Sequence, residues 1–409
     1  MMKAFILAAG EGTRMRPLTA NIPKPLLPVA NKPFLMHTLE ALSQSGIREA
    51  TILLGWKGHR IRDYLARRPD VGIAIDFAEQ DKRLGTAHAI GLAKGHTDGP
   101  FLSINGDVVV TGKSISGFLD FHKRVGGTVM AVAEVSDPSR FGVVEMKGDT
   151  VAGLEEKPRR PKSNLINAGI YIFDEDVFDL IARTPASPRG EYEITDTLNM
   201  IMDKGDLRGY RLEEEWIDVG RSWDLLGANE ILLRNLQTKV EGELDEHVTL
   251  VGPVQIGPGT RVLRGAYIQG PTIIGRDCEI GPNCRIRPST YIGDKCKVGN
   301  GSEVKNSIFM EGSRVPHINY VGDSILGERV NLGAGTKIAN LRLDERPITV
   351  TLKGKTVDTG LRKLGAIIGD DVKVGINASI DAGTIIGEET FIGMGAVVRG
   401  NIAPRSRMH

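Results

Sequence analysis

An aliphatic residue recurs at every sixth position through the last third of this 409-residue chain. Nine successive residues keep the period: Ile256, Val262, Ile268, Ile274, Ile280, Ile286, Ile292, Val298 and Val304. The period resumes with Ile368, Val374, Ile380, Ile386, Ile392 and Val398. Neither an α-helix nor an alternating strand has a period of six, whereas a coil of short parallel strands joined by tight corners does. The pattern therefore predicts a parallel β-helix of hexapeptide repeats.

We call these regularly spaced aliphatic residues the ladder. A small side chain follows each of the first eight ladder residues by four positions. These small residues are Thr260, Ala266, Thr272, Cys278, Cys284, Thr290, Cys296 and Ser302, and they include all three cysteines of the chain. Cys278 and Cys296 lie one coil apart and would stack about 4.8 Å from each other. A disulfide or a metal pair is therefore an alternative, but so low a cysteine content favours packed thiols in a reducing compartment.

The ladder is interrupted in two ways. After Val304 its frame slips by one residue, and then slips again, giving Phe309, Val315, Val321, Leu326, Leu332 and Ile338. A longer insertion follows at residues 341–362, where Ile348, Val350 and Leu352 alternate ahead of Lys353-Gly354-Lys355. This alternation predicts a hairpin that projects from the coil. Interruptions of a regular scaffold are where we expect a site to be built.

Residues 1–221 alternate strand-like and helix-like segments. A helix is predicted at residues 34–45, and strands are predicted at residues 3–8, 50–54, 73–77, 101–104 and 128–135. Such alternation predicts an α/β domain of the Rossmann-like kind, with a mostly parallel sheet and helices on both faces. The chain is therefore expected to join an α/β domain to a β-helix.

A connecting helix is predicted between the two domains. Its helical segment is residues 222–240, within a connection that runs from 222 to 244. Ser222 is the predicted cap. The predicted apolar stripe consists of Leu225, Leu232, Leu236 and Val240. The coil domain is then expected at residues 245–409.

Charge and hydropathy exclude two classes of partner. The 52 Lys and Arg residues nearly balance 51 Asp and Glu residues, so no global field favours nucleic acid or a membrane surface. No apolar run is long enough to span a bilayer. The apolar start of the chain leads straight into a glycine-rich segment, which favours a first strand over a signal peptide. The expected location is the cytoplasm.

The glycine-rich segment is Leu7-Ala8-Ala9-Gly10-Glu11-Gly12-Thr13-Arg14-Met15-Arg16-Pro17, and Lys24 follows shortly after. Glycines at the end of a strand let backbone N–H groups close around phosphate oxygens. The segment is not a Walker loop, because no Gly-Lys-Ser/Thr follows. It is not a dinucleotide fingerprint either, because Met15 stands where the third glycine belongs.

With these residues, the first 220 positions resemble the sugar-1-phosphate nucleotidylyltransferases. The further segments that carry the resemblance are Glu79-Gln80, Leu84-Gly85-Thr86-Ala87-His88, Asn105-Gly106-Asp107, Glu155-Glu156-Lys157-Pro158, Asn167-Ala168-Gly169-Ile170-Tyr171 and Trp216-Ile217-Asp218-Val219-Gly220. The resemblance implies Mg²⁺ held by Asp107 and Asp218, with Arg14 and Lys24 as catalytic residues. It implies a nucleotide site that consists of Leu7, Ala9, Gly10, Gly12, Thr13, Gln80, Gly85 and Thr86. It implies a sugar-phosphate site that consists of Gly142, Glu156, Lys157 and Asn167.

The implied chemistry needs these residue types. A sugar-1-phosphate oxygen attacks the α-phosphorus of a nucleoside triphosphate, UTP or dTTP, and pyrophosphate leaves. Both reactants are polyanions, so Mg²⁺ and the cations Arg14, Lys24 and Lys157 would neutralise them and stabilise the transition state. No general base is required, because the nucleophile is already anionic.

Two cations and a histidine stand out in the coil. Arg287 and Lys305 are eighteen positions apart and would stack on successive coils. A solvated pair and a bridging phosphate remain equally open on spacing alone. His317 lies within the first frame slip, in Val315-Pro316-His317-Ile318-Asn319-Tyr320, and is expected to face outward. With Asn331, Asn340 and Lys363, this set resembles the acetyltransferase domain of the bifunctional enzymes that make UDP-N-acetylglucosamine.

That second resemblance covers residues 245–409 and implies a left-handed coil, a trimer or a multiple of trimers, and acetyl-CoA as co-substrate. His317 would be the general base, since imidazole exchanges protons near neutral pH. Asn340 and Lys363 would complete the catalytic set. The amino-sugar phosphate would be held by Arg287, Lys305, Tyr320 and Asn331. The acetyl-CoA contacts would be Ala334, Ile376 and Met394.

Three features depart from the bacterial pattern and resemble the archaeal version. They are the long insertion, the size of Ile376 and Met394, and the short tail.

The expected reactions are acetylation of glucosamine-1-phosphate, or galactosamine-1-phosphate, followed by nucleotidyl transfer. One alternative is a nucleotidylyltransferase acting on glucose-, mannose- or N-acetylglucosamine-1-phosphate, with a purely structural coil. A second is a non-catalytic scaffold, against which Lys24, Asp107 and Asp218 argue.

Overall fold

The computed structural model describes residues 2–68, 71–352 and 354–409. They form two compact units. The first unit consists of the residues up to Glu11, Pro23–Leu26 and Phe34–Asp218; the second consists of Gly12–Ile22, Leu27–Pro33 and Val219–His409. No helix among the described residues is both long and apolar enough to cross a membrane.

The first unit is built on one nine-stranded sheet. In spatial order its strands are Ala74–Glu79, Glu49–Leu54, Lys3–Leu7, Phe101–Asn105, Leu165–Phe173, Val129–Glu134, Arg208–Arg211, Thr150–Glu156 and Gly142–Lys147. Each strand that the sequence predicts is present, with ends that differ by no more than two residues. The α/β prediction is confirmed.

The sheet is mixed, where the sequence predicts a mostly parallel one. Lys3–Leu7 is parallel to both of its neighbours, and Leu165–Phe173 is antiparallel to both of its own. The strands Gly142–Lys147 and Thr150–Glu156 form an antiparallel hairpin whose turn contains Gly148 at a φ of 59°. So short a connection cannot carry the chain back to a parallel start, so these two strands run antiparallel.

Helices cover both faces of this sheet. In Lys3–Leu7, Ala4 and Ile6 join one buried core, while Phe5 joins the other. The α-helices of the first unit are Phe34–Gln44, Gly58–Ala66, Thr86–Gly91, Gly112–Val125, Val177–Arg183 and Ile194–Met202. Because strand side chains alternate between faces, one strand supplies both cores, as the predicted double-sided sheet requires.

The second unit contains a coil with three faces, each a parallel sheet. The first face consists of Lys239–Val240, Val254–Ile256, Thr272–Ile274, Thr290–Ile292, Ile308–Phe309, Ile325–Leu326, Ala366–Ile368, Thr384–Ile386 and Asn401–Ile402. The second consists of Glu243–Leu244, Arg261–Val262, Glu279–Ile280, Lys297–Asn300, Arg314–His317, Asn331–Leu332, Lys373–Val374, Phe391–Ile392 and Arg407–Met408. The third consists of Thr249–Val251, Tyr267–Gln269, Arg285–Ile286, Glu303–Lys305, Tyr320–Gly322, Lys337–Ile338, Ser379–Ile380 and Val397–Val398.

The predicted ladder forms the core of this coil. Every ladder residue on both sides of the interruptions is buried in one continuous cluster. The frame slips mark coils that are one residue shorter: Ile286 pairs with Val304, eighteen positions on, whereas Ile292 pairs with Phe309, seventeen positions on. The shortened corner changes the sequence frame but keeps the side chains stacked.

The connecting helix is shorter than predicted. It spans Asp224–Leu233, and Val240 lies in the first strand of the coil, paired with Ile256. The predicted stripe was wrong beyond Leu233, because Leu236 and Val240 only happen to have helical spacing. Ser222 does not cap the helix: its hydroxyl is buried and has no hydrogen-bond partner among the described residues.

The insertion contains the predicted hairpin, with Thr349–Leu352 antiparallel to Lys355–Asp358; Lys353 lies outside the described residues. The hairpin does not project freely, as the alternation suggested. Ile348 and Val350 are buried, and Asn401 Nδ2 donates to the Thr351 carbonyl at 2.6 Å. The apolar face of the hairpin therefore covers a later turn of the coil.

The three cysteines are free, buried thiols, which confirms the packed-thiol interpretation. The Cys278 Sγ donates to the Gly293 carbonyl, and the Cys296 Sγ donates to the Met310 carbonyl. Burial raises the pKa of Cys278 to about 11 and that of Cys284 to about 12. These thiols therefore stay protonated at neutral pH and act as small apolar residues.

Two adjacent valines test the ladder, because Val398 is fully buried and Val397 is 61% exposed. Val398→Ala is expected to lower the free energy of unfolding of the coil by about 2 kcal/mol, since it removes two buried methyl groups and leaves a cavity. Val397→Ala is the matched control and should change it by less than about 0.5 kcal/mol. Urea unfolding measures both, and equal effects would contradict an inward ladder.

Candidate active sites

The first strand ends at a crowded edge of the sheet. The Gly106 N–H donates to the Leu7 carbonyl, and the Ala8 N–H donates to the Leu53 carbonyl. A Cβ at Gly106 would lie 2.7 Å from the Leu7 oxygen, so only glycine fits between the strand ends. Backbone packing therefore places Leu7, Ala9 and Gly10, three residues of the predicted nucleotide site, at the carboxyl end of the sheet.

The glycine-rich loop continues into the second unit. Gly12 has a φ of 64°, and the short 3₁₀ helix Thr13–Met15 follows, with Arg14 exposed. Thr19 Oγ1 donates to the Gly12 carbonyl, and Asn21 Nδ2 donates to Asp370 of the coil at 3.1 Å. Within this unit, Asn21 thus ties the loop that carries Arg14 to a buried carboxylate of the coil.

Lys24 and the two predicted metal ligands lie in the first unit. Lys24 Nζ is 2.6 Å from Asp107 Oδ2, and the lysine side chain is only 10% exposed. Asp218 pairs with Val108, the residue after Asp107, in a short antiparallel pair of strands. The fold therefore brings Lys24, Asp107 and Asp218 together from three separate segments, as the sequence predicted.

The predicted base-binding stretch, residues 79–88, is hydrogen-bonded to a distant loop that contains Tyr192. Gln80 is buried, and its Nε2 lies 3.1 Å from His88 Nδ1. The Tyr192 N–H donates to the Leu84 carbonyl, and the Ala87 N–H donates to the Tyr192 carbonyl. Gly85 has a φ of 115°, and a Cβ there would lie 2.4 Å from the Tyr192 oxygen. Sequence reasoning missed Tyr192, because its contacts with this stretch are made by backbone atoms.

The predicted sugar-phosphate residues also converge. Gly142 pairs with Glu156, whose Oε1 lies 2.5 Å from Lys157 Nζ. Asn167 Oδ1 accepts hydrogen bonds from the Gly169 N–H and the Tyr171 hydroxyl. Burial raises the pKa of Tyr171, so this hydroxyl remains a donor.

Further side chains support this cluster. Thr195 Oγ1 donates to Glu156 Oε2 at 3.0 Å, and Trp216 Nε1 donates to the Ala168 carbonyl at 2.9 Å. Burial raises the pKa of Glu193, which pairs with Arg189 at 2.8 Å. Sequence reasoning missed Thr195 and Glu193, because they act through contacts with other side chains and match no local pattern.

His317 heads a column of side chains on the coil. It ends the second-face strand Arg314–His317 and is exposed. Hydrogen bonds between coils join the His317, Ala334 and Ile376 carbonyls to N–H groups of Gly335, Asn377 and Gly395. This register aligns the predicted general base with the predicted acetyl-CoA contacts Ala334, Ile376 and Met394. Ile376 and Met394 are exposed apolar side chains.

Asn319 fixes the backbone under His317. Its Oδ1 accepts from the His317 N–H at 3.0 Å, and its Nδ2 donates to the Gly333 carbonyl at 2.7 Å. Asn319 occupies the inward small-residue slot, seventeen positions after Ser302. Extending the small-residue pattern across the frame slip would have identified this residue.

The two coil cations each have a carboxylate partner. Arg287 Nη1 lies 3.0 Å from Glu303 Oε1, and Lys305 Nζ lies 3.2 Å from Asp323 Oδ2. The spacing argument predicted like charges stacked against each other, but it omitted Glu303 and Asp323. These partners offset the repulsion between Arg287 and Lys305.

Asn340 and Tyr320 join the same corner. Asn340 Nδ2 donates to Asp323 Oδ2 and to the Tyr320 hydroxyl. Burial, with Asp323 and Glu303 nearby, raises the pKa of Tyr320. Lys363 lies at the base of the insertion, where it bridges to Leu341, the residue after Asn340.

Asn331 is not part of that corner. It pairs with Arg314 and Lys373 on the second face, whereas Arg287, Lys305 and Tyr320 lie on or beside third-face strands. The grouping of Asn331 with the phosphate-binding residues therefore does not hold within one chain. Asn331 lies on the same face as His317.

Known proteins share both parts of this arrangement. Residues 3–235 match the nucleotidyl transferase family, residues 268–362 match the GMPPB C-terminal domain, and residues 365–400 match six bacterial transferase hexapeptide repeats. The bifunctional protein GlmU of Methanocaldococcus jannaschii is 42% identical over 97% of this chain and 95% of its own length. A bifunctional sugar-1-phosphate nucleotidylyltransferase/acetyltransferase of Sulfurisphaera tokodaii is 38% identical over 98% of each chain.

The chain belongs to this bifunctional GlmU family. It is a transferase with a nucleotidylyltransferase domain and a hexapeptide acetyltransferase domain, as the sequence predicted. A crystal structure of a putative glucose-1-phosphate thymidylyltransferase from Bacillus anthracis is similar to 58% of this chain over 98% of its own, with 32% identity and a TM-score of 0.54. The alternatives of a purely structural coil and a scaffold are not supported.

Gly85 offers a test of whether the contact with Tyr192 positions the base-binding stretch. Gly85→Ala forces a Cβ against the Tyr192 backbone at a left-handed φ, so we expect the KM for the nucleotide to rise about tenfold or more. Gly99→Ala is the control, since Gly99 also has a positive φ but nothing lies within 4 Å of its Cβ position. Pyrophosphate release gives both KM values. A Gly85→Ala enzyme with an unchanged KM would show that the contact with Tyr192 does not position the nucleotide.

Proposed function

We propose that this enzyme acetylates glucosamine-1-phosphate with acetyl-CoA and then transfers UMP from UTP to the product, giving UDP-N-acetylglucosamine and pyrophosphate. One observation carries the proposal: a phosphate-neutralising cluster around Lys24 and Asp107 and a second polar corner around Lys305 and Asn340 occur on one chain. Galactosamine-1-phosphate is a second acceptor to test, and dTTP a second nucleotide.

In the nucleotidylyltransferase domain the sugar-phosphate oxygen is the nucleophile. Lys157, beside Glu156 and Asn167, would hold the sugar phosphate, while Lys24 would neutralise the triphosphate. Fixed cations stabilise the charge that spreads over the phosphoryl oxygens in the transition state. Positioning and charge therefore account for catalysis without a base.

Asp107 and Asp218 are the residues that would hold Mg²⁺. Mg²⁺ usually binds one or two carboxylates together with substrate phosphates, and the described residues contain no cluster of three or more metal-binding side chains. Two carboxylates brought together by paired strands fit that requirement. When bound, the metal would supply charge neutralisation at the triphosphate.

In the coil domain the amine of the amino sugar is the nucleophile. His317 would remove a proton from the amine as the nitrogen attacks the thioester carbonyl, and the carbon–sulfur bond then breaks to release the CoA thiol. Lys305 and Arg287 would hold the sugar phosphate, and Lys363 lies beside that corner. The apolar column Ala334, Ile376 and Met394 would contact the pantetheine chain.

The coil sites are proposed to form between copies of the chain in a trimer. His317 precedes the strand Tyr320–Gly322 and Asp323 follows it, so the proposed general base and the proposed phosphate-binding corner lie on opposite sides of one strand. An extended chain of six residues, the interval from His317 to Asp323, spans at most about 20 Å. We therefore expect light scattering to give the mass of a trimer or of a multiple of trimers. A monomeric mass for an enzyme that releases thiol would contradict shared sites.

Two substitutions separate the activities. Lys24→Ala should reduce pyrophosphate release at least about a hundredfold, because the triphosphate loses a buried cation, and should leave thiol release intact. His317→Ala should reduce thiol release by about a hundredfold to ten-thousandfold and leave pyrophosphate release intact. Both assays are run on the full chain, with UTP and dTTP compared for pyrophosphate.

His247→Ala is the matched control, since His247 is an exposed histidine elsewhere on the coil. It should affect neither assay. If His317→Ala kept full thiol release, His317 could not be the base. If the wild type released no thiol with either amino-sugar phosphate, the acetyl-transfer half of the proposal would fail.

A further inference from the structure

Asp323 is a buried carboxylate that neither proposed reaction uses directly. It follows the third-face strand Tyr320–Gly322 at a corner of the coil and is only 3% exposed. Burying an isolated carboxylate is unfavourable unless it is paired and hydrogen-bonded. A buried acid at this corner therefore requires an explanation.

The backbone does not explain it. Ser289, Asn306 and Asp323 occupy the same corner position in three successive coils, and all three have a left-handed φ, of 61°, 43° and 50°. The N–H of each donates to a carbonyl of the preceding coil. Neutral side chains hold this conformation in the two earlier coils, so the fold requires no charge at Asp323.

The contacts of Asp323 come from the coils on both sides. Lys305 Nζ lies 3.2 Å from Oδ2 and 3.5 Å from Oδ1, and Asn306 Nδ2 donates to Oδ1 at 2.7 Å. Asn340 Nδ2 donates to Oδ2. One carboxylate thus accepts hydrogen bonds from residues of two different coils.

We propose that Asp323 is a positioning residue for the amino-sugar phosphate: it fixes Lys305 and Asn340 in the geometry that binds this substrate. A lysine ammonium has three N–H donors, so pairing with Asp323 leaves donors for a phosphate. Holding Asn340 by its Nδ2 leaves its Oδ1 to accept a hydrogen bond from the sugar. The proposal rests on the acetyl-transfer function proposed above.

Asp323→Asn tests the role at constant size and with a side chain that also tolerates a left-handed φ. The new amide nitrogen would face the Nδ2 of either Asn306 or Asn340, donor against donor, and Lys305 would lose its counter-charge. Because hydrogen bonds to charged groups are strong, we expect the KM and the dissociation constant for glucosamine-1-phosphate to rise about tenfold to a hundredfold. The KM for acetyl-CoA should change less than about twofold, and pyrophosphate release should not change.

Asp277→Asn is the matched control, because Asp277 is an exposed coil residue, also with a left-handed φ, of 54°. It should leave every value unchanged. Thiol release gives the KM values, and calorimetry with glucosamine-1-phosphate measures binding independently of turnover.

The outcomes separate the two proposals. If the wild type binds glucosamine-1-phosphate without releasing thiol and Asp323→Asn weakens binding, the acetyl-transfer function fails and the positioning role stands. If the wild type releases thiol and Asp323→Asn leaves the KM and the binding of glucosamine-1-phosphate unchanged, the positioning role fails alone. An equal loss of pyrophosphate release, with a lower melting temperature, would overturn it in favour of a purely structural role. No binding by the wild type would overturn both.

Discussion

The parallel stacking of coils determines where the side chains of the β-helix lie. Each strand hydrogen-bonds to the strand one turn later, so residues seventeen or eighteen positions apart form columns. The inward columns are aliphatic and form one core. The side chains of the outward columns can form binding and catalytic sites, because the strands stack through their backbones and their inward side chains. The column from His317 to Met394 and the corner around Asp323 are both products of this register.

The shortened coils show how a site is added to such a scaffold. Dropping one residue at a corner changes the sequence frame but leaves Phe309 and Leu326 in the core. Within these shorter coils, Asn319 supports the backbone of His317, and Asn306 and Asp323 occupy the next corner. The interruptions that look like defects in the sequence thus coincide with the polar contacts of the coil.

Local patterns made much of the molecule predictable. The hexad period identified the coil core, since each inward residue can be read from its neighbours six positions away. The one helix and the five strands that were predicted in the first unit followed from local hydrophobicity. The sheet order did not, because the antiparallel placement of Leu165–Phe173 depends on contacts far apart in the chain. Val240 was misassigned because its spacing fits a helix, while its pairing with Ile256 is visible only in the fold.

The candidate sites were predictable to the extent that they consist of motifs. Lys24, Asp107 and Asp218 were placed together correctly by their order between strands. The partners that hold predicted residues in place were missed: Glu303 beside Arg287, Asp323 beside Lys305, and Tyr192 against Gly85. Such partners belong to no local pattern, because their identity is set by which coil or loop packs opposite. Asn331 shows the converse, since resemblance grouped it with residues that the fold places on another face.

One chain is proposed to carry out two successive transfers on one sugar phosphate. Mass spectrometry can follow both transfers in a single incubation with glucosamine-1-phosphate, ¹³C-acetyl-CoA, UTP and Mg²⁺. The expected product is UDP-N-acetylglucosamine that carries the labelled acetyl group. A nucleotide sugar that contains no labelled acetyl group, or no nucleotide sugar at all, would contradict the proposal.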